Sequence, residues 1–141
     1  MRRHAAQPWS LYLAFNAPHG PLQPTSERYN QFASIASTTR RNYAAQVSLQ
    51  DDAVSETLAA LGDTGQQSKT LAFFFSDNGG PEPYCTSNTP WRGWNGHMYE
   101  GGRLVPFVAS WPGALPSGVD YTQKVVRTDR RNPKPEGRGP K

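Results

Sequence analysis

The apolar run Leu71-Ala72-Phe73-Phe74-Phe75-Ser76, closed by Asp77-Asn78-Gly79-Gly80, constrains this chain more than any other segment. A run this hydrophobic reads as a strand buried on both faces, the pattern of parallel sheets. In open α/β sheets, ligands bind just beyond the carboxyl ends of such strands. At that point Asp77 offers a carboxylate and Asn78 an amide oxygen, donors that suit a hard cation. Gly79 and Gly80 then let the backbone turn sharply and pass close to a ligand. An ordinary Asx turn at a strand end would carry the same four residues, so the motif decides nothing by itself.

The surrounding order of elements favours an α/β fold with a mostly parallel sheet and flanking helices. Trp9 to Phe15 reads as a first strand, and Asn16 to Pro24, with three prolines and a glycine, as a loop. Ser26 to Phe32 fits a short helix. Arg41 to Leu61 reads as the main helix, because Val47, Val54, Leu58 and Leu61 share one helical face and Gly62 and Gly65 stop it. Thr70 to Ser76 is the second strand. Two strands joined through a helix predict a β-α-β crossover. Pro81 to Gly96 is a long loop, of the kind that is usually functional or disordered. Val105 to Trp111 is a third strand, weakened by Pro106. So few elements cover a sheet poorly, and the segment reads as the middle of a larger domain.

Charge excludes one class of function. The formal net charge is +4, and residues 127–141 supply all of it, with six basic residues against two acids; the rest of the chain is neutral. That basic, proline-rich tail has almost no apolar residues and is expected to be disordered. A folded nucleic-acid module would instead pattern its basic residues on a face among aromatics, so no nucleic-acid partner is expected. Hydrophobic residues make up 35% of the chain and the mean hydropathy is −0.73, with no segment long enough to span a membrane. Met1-Arg2-Arg3-His4 before the apolar stretch at 9–15 imitates a signal peptide, but the stretch is short, follows Pro8 and contains Tyr12, which suits a strand better. One cysteine excludes an internal disulfide and a thiolate-rich zinc site.

Three segments recur in a telling order: Asn16-Ala17-Pro18-His19-Gly20-Pro21, Ser76-Asp77-Asn78-Gly79-Gly80, and Pro90-Trp91-Arg92-Gly93-Trp94-Asn95-Gly96-His97-Met98-Tyr99-Glu100-Gly101-Gly102. With the Tyr12-Leu13-Ala14-Phe15 opening and the Val105-Pro106-Phe107…Trp111-Pro112-Gly113 close, the chain from about Pro8 to Val126 resembles the later half of the sulfatase catalytic domain, within the alkaline-phosphatase superfamily. The resemblance implies hydrolysis of a sulfate ester by a formylglycine nucleophile, made from a Cys/Ser-x-Pro-x-Arg motif, with a divalent cation, usually calcium. Asp77 and Asn78 match the family's second pair of metal ligands. His19 matches a histidine that contacts the sulfate or the leaving-group oxygen, a role in which an imidazole serves as donor or general acid. Read without the resemblance, His19 would equally pack or cap its loop. Sulfatases are mostly lysosomal, periplasmic or secreted; nothing in this sequence fixes a compartment.

The sequence departs from the family pattern in several places. Asn95 stands where the family has a lysine on the sulfate, and an amide donates only a neutral hydrogen bond there. Arg92, Tyr99 and Glu100 belong to the same motif, with Arg92 a weaker substrate-binding candidate and Glu100 a brace of the loop. No Cys/Ser-x-Pro-x-Arg occurs in the 141 residues, so the chain supplies no nucleophile; Cys85 lacks the required proline and arginine and reads as a free loop thiol. Asp51-Asp52 lies inside the main helix and is not the missing aspartate pair. The expectation is an incomplete sulfatase-like domain over 1–126 that is inactive alone. The alternatives are a degenerate non-catalytic product and a metal-dependent phosphatase or phosphodiesterase, although the amide of Asn78 favours a single hard cation over two transition metals.

Overall fold

The protein, seen in a computed structural model, is described over residues 6–122. The basic tail at 127–141 lies outside the described residues. Five regular elements carry the fold: α1 (Ser26–Gln31), α2 (Thr38–Asp63), β1 (Ala72–Phe75), α3 (Glu100–Arg103) and β2 (Phe107–Ser110). Single 3-10 turns at Gln67–Lys69 and Glu82–Tyr84 punctuate the connections.

α1 and α2 each begin where a hydroxyl supplies what the first turn lacks. Thr25 accepts from the Arg28 amide at 3.2 Å to cap α1, and Ser37 accepts from the Arg40 amide at 3.3 Å to cap α2. The Ser37 cap starts α2 three residues before the expected Arg41. Gly65, at φ 65°, turns the chain beyond the far end. The two helices are fastened by polar groups. Arg28 pairs with Asp52 and donates to Ser48 Oγ at 3.0 Å. Arg41 lies over the Tyr29 ring at 3.8 Å and donates from Nε to the Tyr29 carbonyl at 2.8 Å.

The apolar face expected of α2 exists in sequence but is not covered. Of Val47, Val54, Leu58 and Leu61, only Leu61 is buried, while Val47 and Leu58 remain 40% and 45% exposed. Ala45 and Leu61 are the buried hydrophobic residues among those described.

The expected parallel crossover is not seen among the described residues. β1 pairs with β2 in antiparallel register, Ala72 opposite Ser110 and Phe75 opposite Phe107. Residues 9–15 run without helix or ladder and form no strand here. Trp9 instead donates from Nε1 to Gln66 Oε1 at 3.0 Å, so the opening segment is tied to the end of α2 and not to a sheet edge. Trp111, just past β2, donates to the Ser68 carbonyl at 3.0 Å and fastens the same connection from the other side. Phe107 bridges Phe75 and Phe73 across the strands, with ring centroids 5.9 and 5.6 Å apart. Such cross-strand aromatic pairs stabilise a ladder, yet Phe73, Phe74, Phe75, Phe107 and Val108 all stay between 43% and 56% exposed. The residues of a doubly buried strand are present; the layers that would bury them are not among the described residues. No helix among those residues is long and apolar enough to cross a membrane.

Candidate functional site

Three loops meet beyond the end of β1, and glycines let them do so. The Gly79 amide donates to the Gly102 carbonyl at 3.0 Å, the Gly101 amide to the Arg92 carbonyl at 2.8 Å, and the Asn95 amide to the Gly80 carbonyl at 3.2 Å. Gly79, Gly93, Gly101 and Gly102 are buried. A Cβ on Gly79 would strike the Gly101 carbonyl, and one on Gly101 would strike the carbonyls of Gly93 and Arg92. These are backbone atoms on both sides, so neither partner yields as the end of a side chain would. The two Gly-Gly pairs therefore bring the Asp77–Asn78 turn, the Arg92–His97 loop and α3 into backbone contact.

Within this interlock, the Asp77 side chain is exposed and Asn78 half-buried. Asn78 spends its Nδ2 on the Gly79 carbonyl at 3.0 Å, while Ser76 Oγ donates to the Asn78 carbonyl at 2.8 Å. With its amide nitrogen committed, Asn78 keeps Oδ1 as an acceptor. The turn thus presents a carboxylate and an amide oxygen, a donor set that fits a hard cation by chemistry but supplies only part of the six to eight oxygens calcium takes. Among the described residues, no group of three or more His, Cys, Asp or Glu converges to hold a metal.

His19 stands on a separate loop. Its Nδ1 lies 2.8 Å from the Gly20 carbonyl, a contact that requires the proton on Nδ1. In the neutral ring Nε2 is then an acceptor, and it becomes a donor only in the imidazolium. The expected role as hydrogen-bond donor or general acid accordingly demands the protonated form. A Cβ on Gly20 would collide with the Tyr84 hydroxyl, so the His19 loop lies flush on the 3-10 turn at Glu82–Tyr84. Tyr84 in turn stacks on Tyr43 of α2 with centroids 6.5 Å apart. Burial pushes the Tyr43 hydroxyl above its ordinary value of 10.0, an effect that Arg40 partly opposes. His19 therefore reaches the acidic turn through Tyr84 and the loop that follows it, not by a direct bond.

The other sequence candidates sort themselves by contact. Arg92 places its guanidinium 4.1 Å from the Tyr99 ring centroid, a cation–π contact that props this side chain against the start of α3. Asn95 is exposed and is held by its backbone alone. Asp52 lies within α2, as the helical reading of Asp51-Asp52 expects, and is committed to Arg28 of α1. Cys85 is a free, exposed thiol at φ 53°, and its carbonyl accepts from Arg40 at 2.8 Å.

One residue at the centre of the interlock was not singled out from the sequence. Asn88 accepts from the Gly80 amide at 2.9 Å and donates from Nδ2 to the carbonyls of Gly80 and Gly93 at 3.0 and 3.1 Å. An asparagine between Ser87 and Thr89 in a long loop gives no periodic signal. The only hint was the pair of Gly-Gly doublets at 79–80 and 101–102, which mark close backbone approach.

The sulfatase family model matches residues 1–131. The chain belongs to the sulfatase family. It is 39% identical over 105 residues to arylsulfatase J of Mus musculus, covering 74% of this chain and 18% of that protein. It is 38% identical over 128 residues to the uncharacterized sulfatase YdeN of Escherichia coli K12, covering 87% of this chain and 22% of that protein. Among solved structures, Ps i-CgsB in complex with k-i-k-neocarrahexaose superposes with a TM-score of 0.78 at 39% identity, over 80% of this chain and 25% of that one. The chain thus spans about a fifth of the length of the curated relatives it matches. The short antiparallel sheet and the uncovered faces of β1, β2 and α2 fit a segment of that larger α/β fold.

Proposed function

We propose that this chain carries part of a sulfate-ester hydrolase site, with Asp77 and Asn78 as oxygen ligands to a divalent cation and His19 as the group that hydrogen-bonds the ester. The observation that carries this reading is the Gly79–Gly102 interlock, which holds a carboxylate and a free amide oxygen at the mouth of the same backbone cluster that holds Asn95. A divalent cation bound there would polarise a sulfate oxygen. The chain's own contribution is orientation: the turn fixes Asp77 and Asn78, and the Gly20 contact fixes the tautomer of His19. Asn95 gives this site one charge fewer than a lysine would, so binding of an anionic sulfate is correspondingly weaker.

No cysteine or serine of the 141 residues stands in the nucleophile motif, and without a nucleophile the covalent route has no first step. We therefore assign no turnover to the chain alone. The test is hydrolysis of an aryl sulfate by the purified chain against an Asp77→Ala control. Equal, background-level rates are expected, and a rate above that control refutes the assignment. A phosphate ester in the same assay separates the phosphatase alternative, for which Asn78 in place of a nitrogen ligand is the adverse feature.

A further inference from the structure

We propose that Asn88 is a positioning residue, one that fixes the Asp77–Asn78 turn against the loop bearing Asn95. The inference rests on the reading of that turn as a cation site, and it concerns a residue outside the turn itself.

Asn88 is half-buried, and its amide is matched atom for atom. Oδ1 takes the Gly80 amide proton, and the two Nδ2 protons go to the carbonyls of Gly80 and Gly93. Toward Gly80 the side chain thus pairs with both the N–H and the C=O of one residue, as a neighbouring strand would. Toward Gly93 it reaches the start of the loop that carries Asn95. The Gly80 carbonyl is shared: it also accepts from the Asn95 amide at 3.2 Å. Asn88 therefore closes a small circuit from Gly80 to Gly93, along the chain to Asn95, and back to Gly80.

The turn is held from both sides. Gly79 is pinned to α3 through the Gly102 carbonyl, and Gly80 is pinned to Asn88. Asp77 and Asn78 precede these two anchors directly. Other side chains cannot do the same work: aspartate keeps the acceptor and loses both donors, glutamine is one methylene too long, and alanine leaves the Gly80 amide and the Gly93 carbonyl without that partner. No hydrogen bond joins Asn88 to α2 in the structure, so its removal should loosen the interlock without melting the long helix.

The test uses the full 141-residue chain, isotopically labelled, as wild type, Asn88→Ala and Asn88→Asp. Amide hydrogen exchange is read at Gly80 and Asn95, helix content of α2 by far-UV circular dichroism, and cation binding by terbium luminescence sensitised through the nearby tryptophans. Asn88→Ala is expected to speed exchange at both amides, by about tenfold if one buried hydrogen bond is lost. It should weaken the apparent terbium affinity by about 10- to 100-fold, as loss of a group that orients a metal ligand does. Asn88→Asp should speed exchange at Asn95 while keeping Gly80 protected, a split that a merely space-filling role would not produce. Unprotected amides in the wild type, unchanged exchange at Asn95 in Asn88→Ala, or loss of the α2 signal along with the loop would each overturn the proposal. Terbium binding indifferent to Asp77→Asn overturns the cation reading instead, because the exchange data decide the clamp without any metal.

Discussion

Gly101→Ala sets two physical terms against each other. Gly101 lies in α3, and in a helix alanine is favoured over glycine by about 0.5–1 kcal/mol. Against that, the new Cβ would collide with the Gly93 carbonyl and lie 2.8 Å from the Arg92 carbonyl oxygen, closer than real Cβ contacts come. Overpacking of this kind costs about 1–3 kcal/mol. Because the obstructing atoms are backbone and are themselves fixed by Asn88 and by the Gly101 amide, the steric term should win, for a net loss of about 1–2 kcal/mol. That corresponds to a local opening equilibrium raised by a factor of about 5–30. The assay is hydrogen exchange at the Gly79 and Gly101 amides, which bond across the interlock. Gly62→Ala is the control, since a Cβ there meets nothing within 4 Å and the residue belongs to α2; it should stabilise by about 0.4–1 kcal/mol. If Gly101→Ala left exchange unchanged or slowed it, the claim that glycines are required for close backbone approach would be wrong.

Other substitutions test the scaffold. Ser37→Ala removes the oxygen that caps α2 and should cost about 1 kcal/mol in chemical denaturation. Asp52→Asn breaks the pair with Arg28; at 50% exposure of the Asp52 side chain the loss should stay within about 0.2–1 kcal/mol and vanish at high salt. Tyr43 has its pKa raised by burial, so its contribution is complete below the unfolded value of 10.0 and is lost as pH climbs through the folded value. Helix content should therefore fall more steeply above pH 10 in the wild type than in Tyr43→Phe.

How far the sequence could be read depended on whether a signal was local. α2 was legible because its apolar positions and Gly65 lie within one stretch; the observed Thr38–Asp63 exceeds the expected Arg41–Leu61 by the turn that Ser37 caps and by Gly62 and Asp63, since Gly62 stays helical and the chain turns only at Gly65. β1 and β2 were legible as apolar runs, each trimmed to four residues where pairing stops. Their partnership was not. The helix between 9–15 and β1 suggested a parallel neighbour, whereas β1 finds its partner across the 76–106 connection, and Trp9 commits the opening segment to Gln66. The buried-strand reading of Phe73 to Phe75 described a composition suited to more layers than the described residues provide. At the site, Asp77, Asn78 and Asn95 were visible because their motifs are contiguous. Asn88 was not, since its importance lies in hydrogen bonds to residues five and eight positions away that no pattern announces.

If the Asp77–Asn78 turn is the cation-binding half-site proposed above, the chain should bind calcium there in solution. Calcium titration of the labelled chain by amide chemical shift tests it most directly. Weak, saturable shifts confined to residues 76–80 and 93–97, abolished in Asp77→Asn, are the expected result. Shifts that centre on Asp51 and Asp52, or that persist in Asp77→Asn, would contradict it.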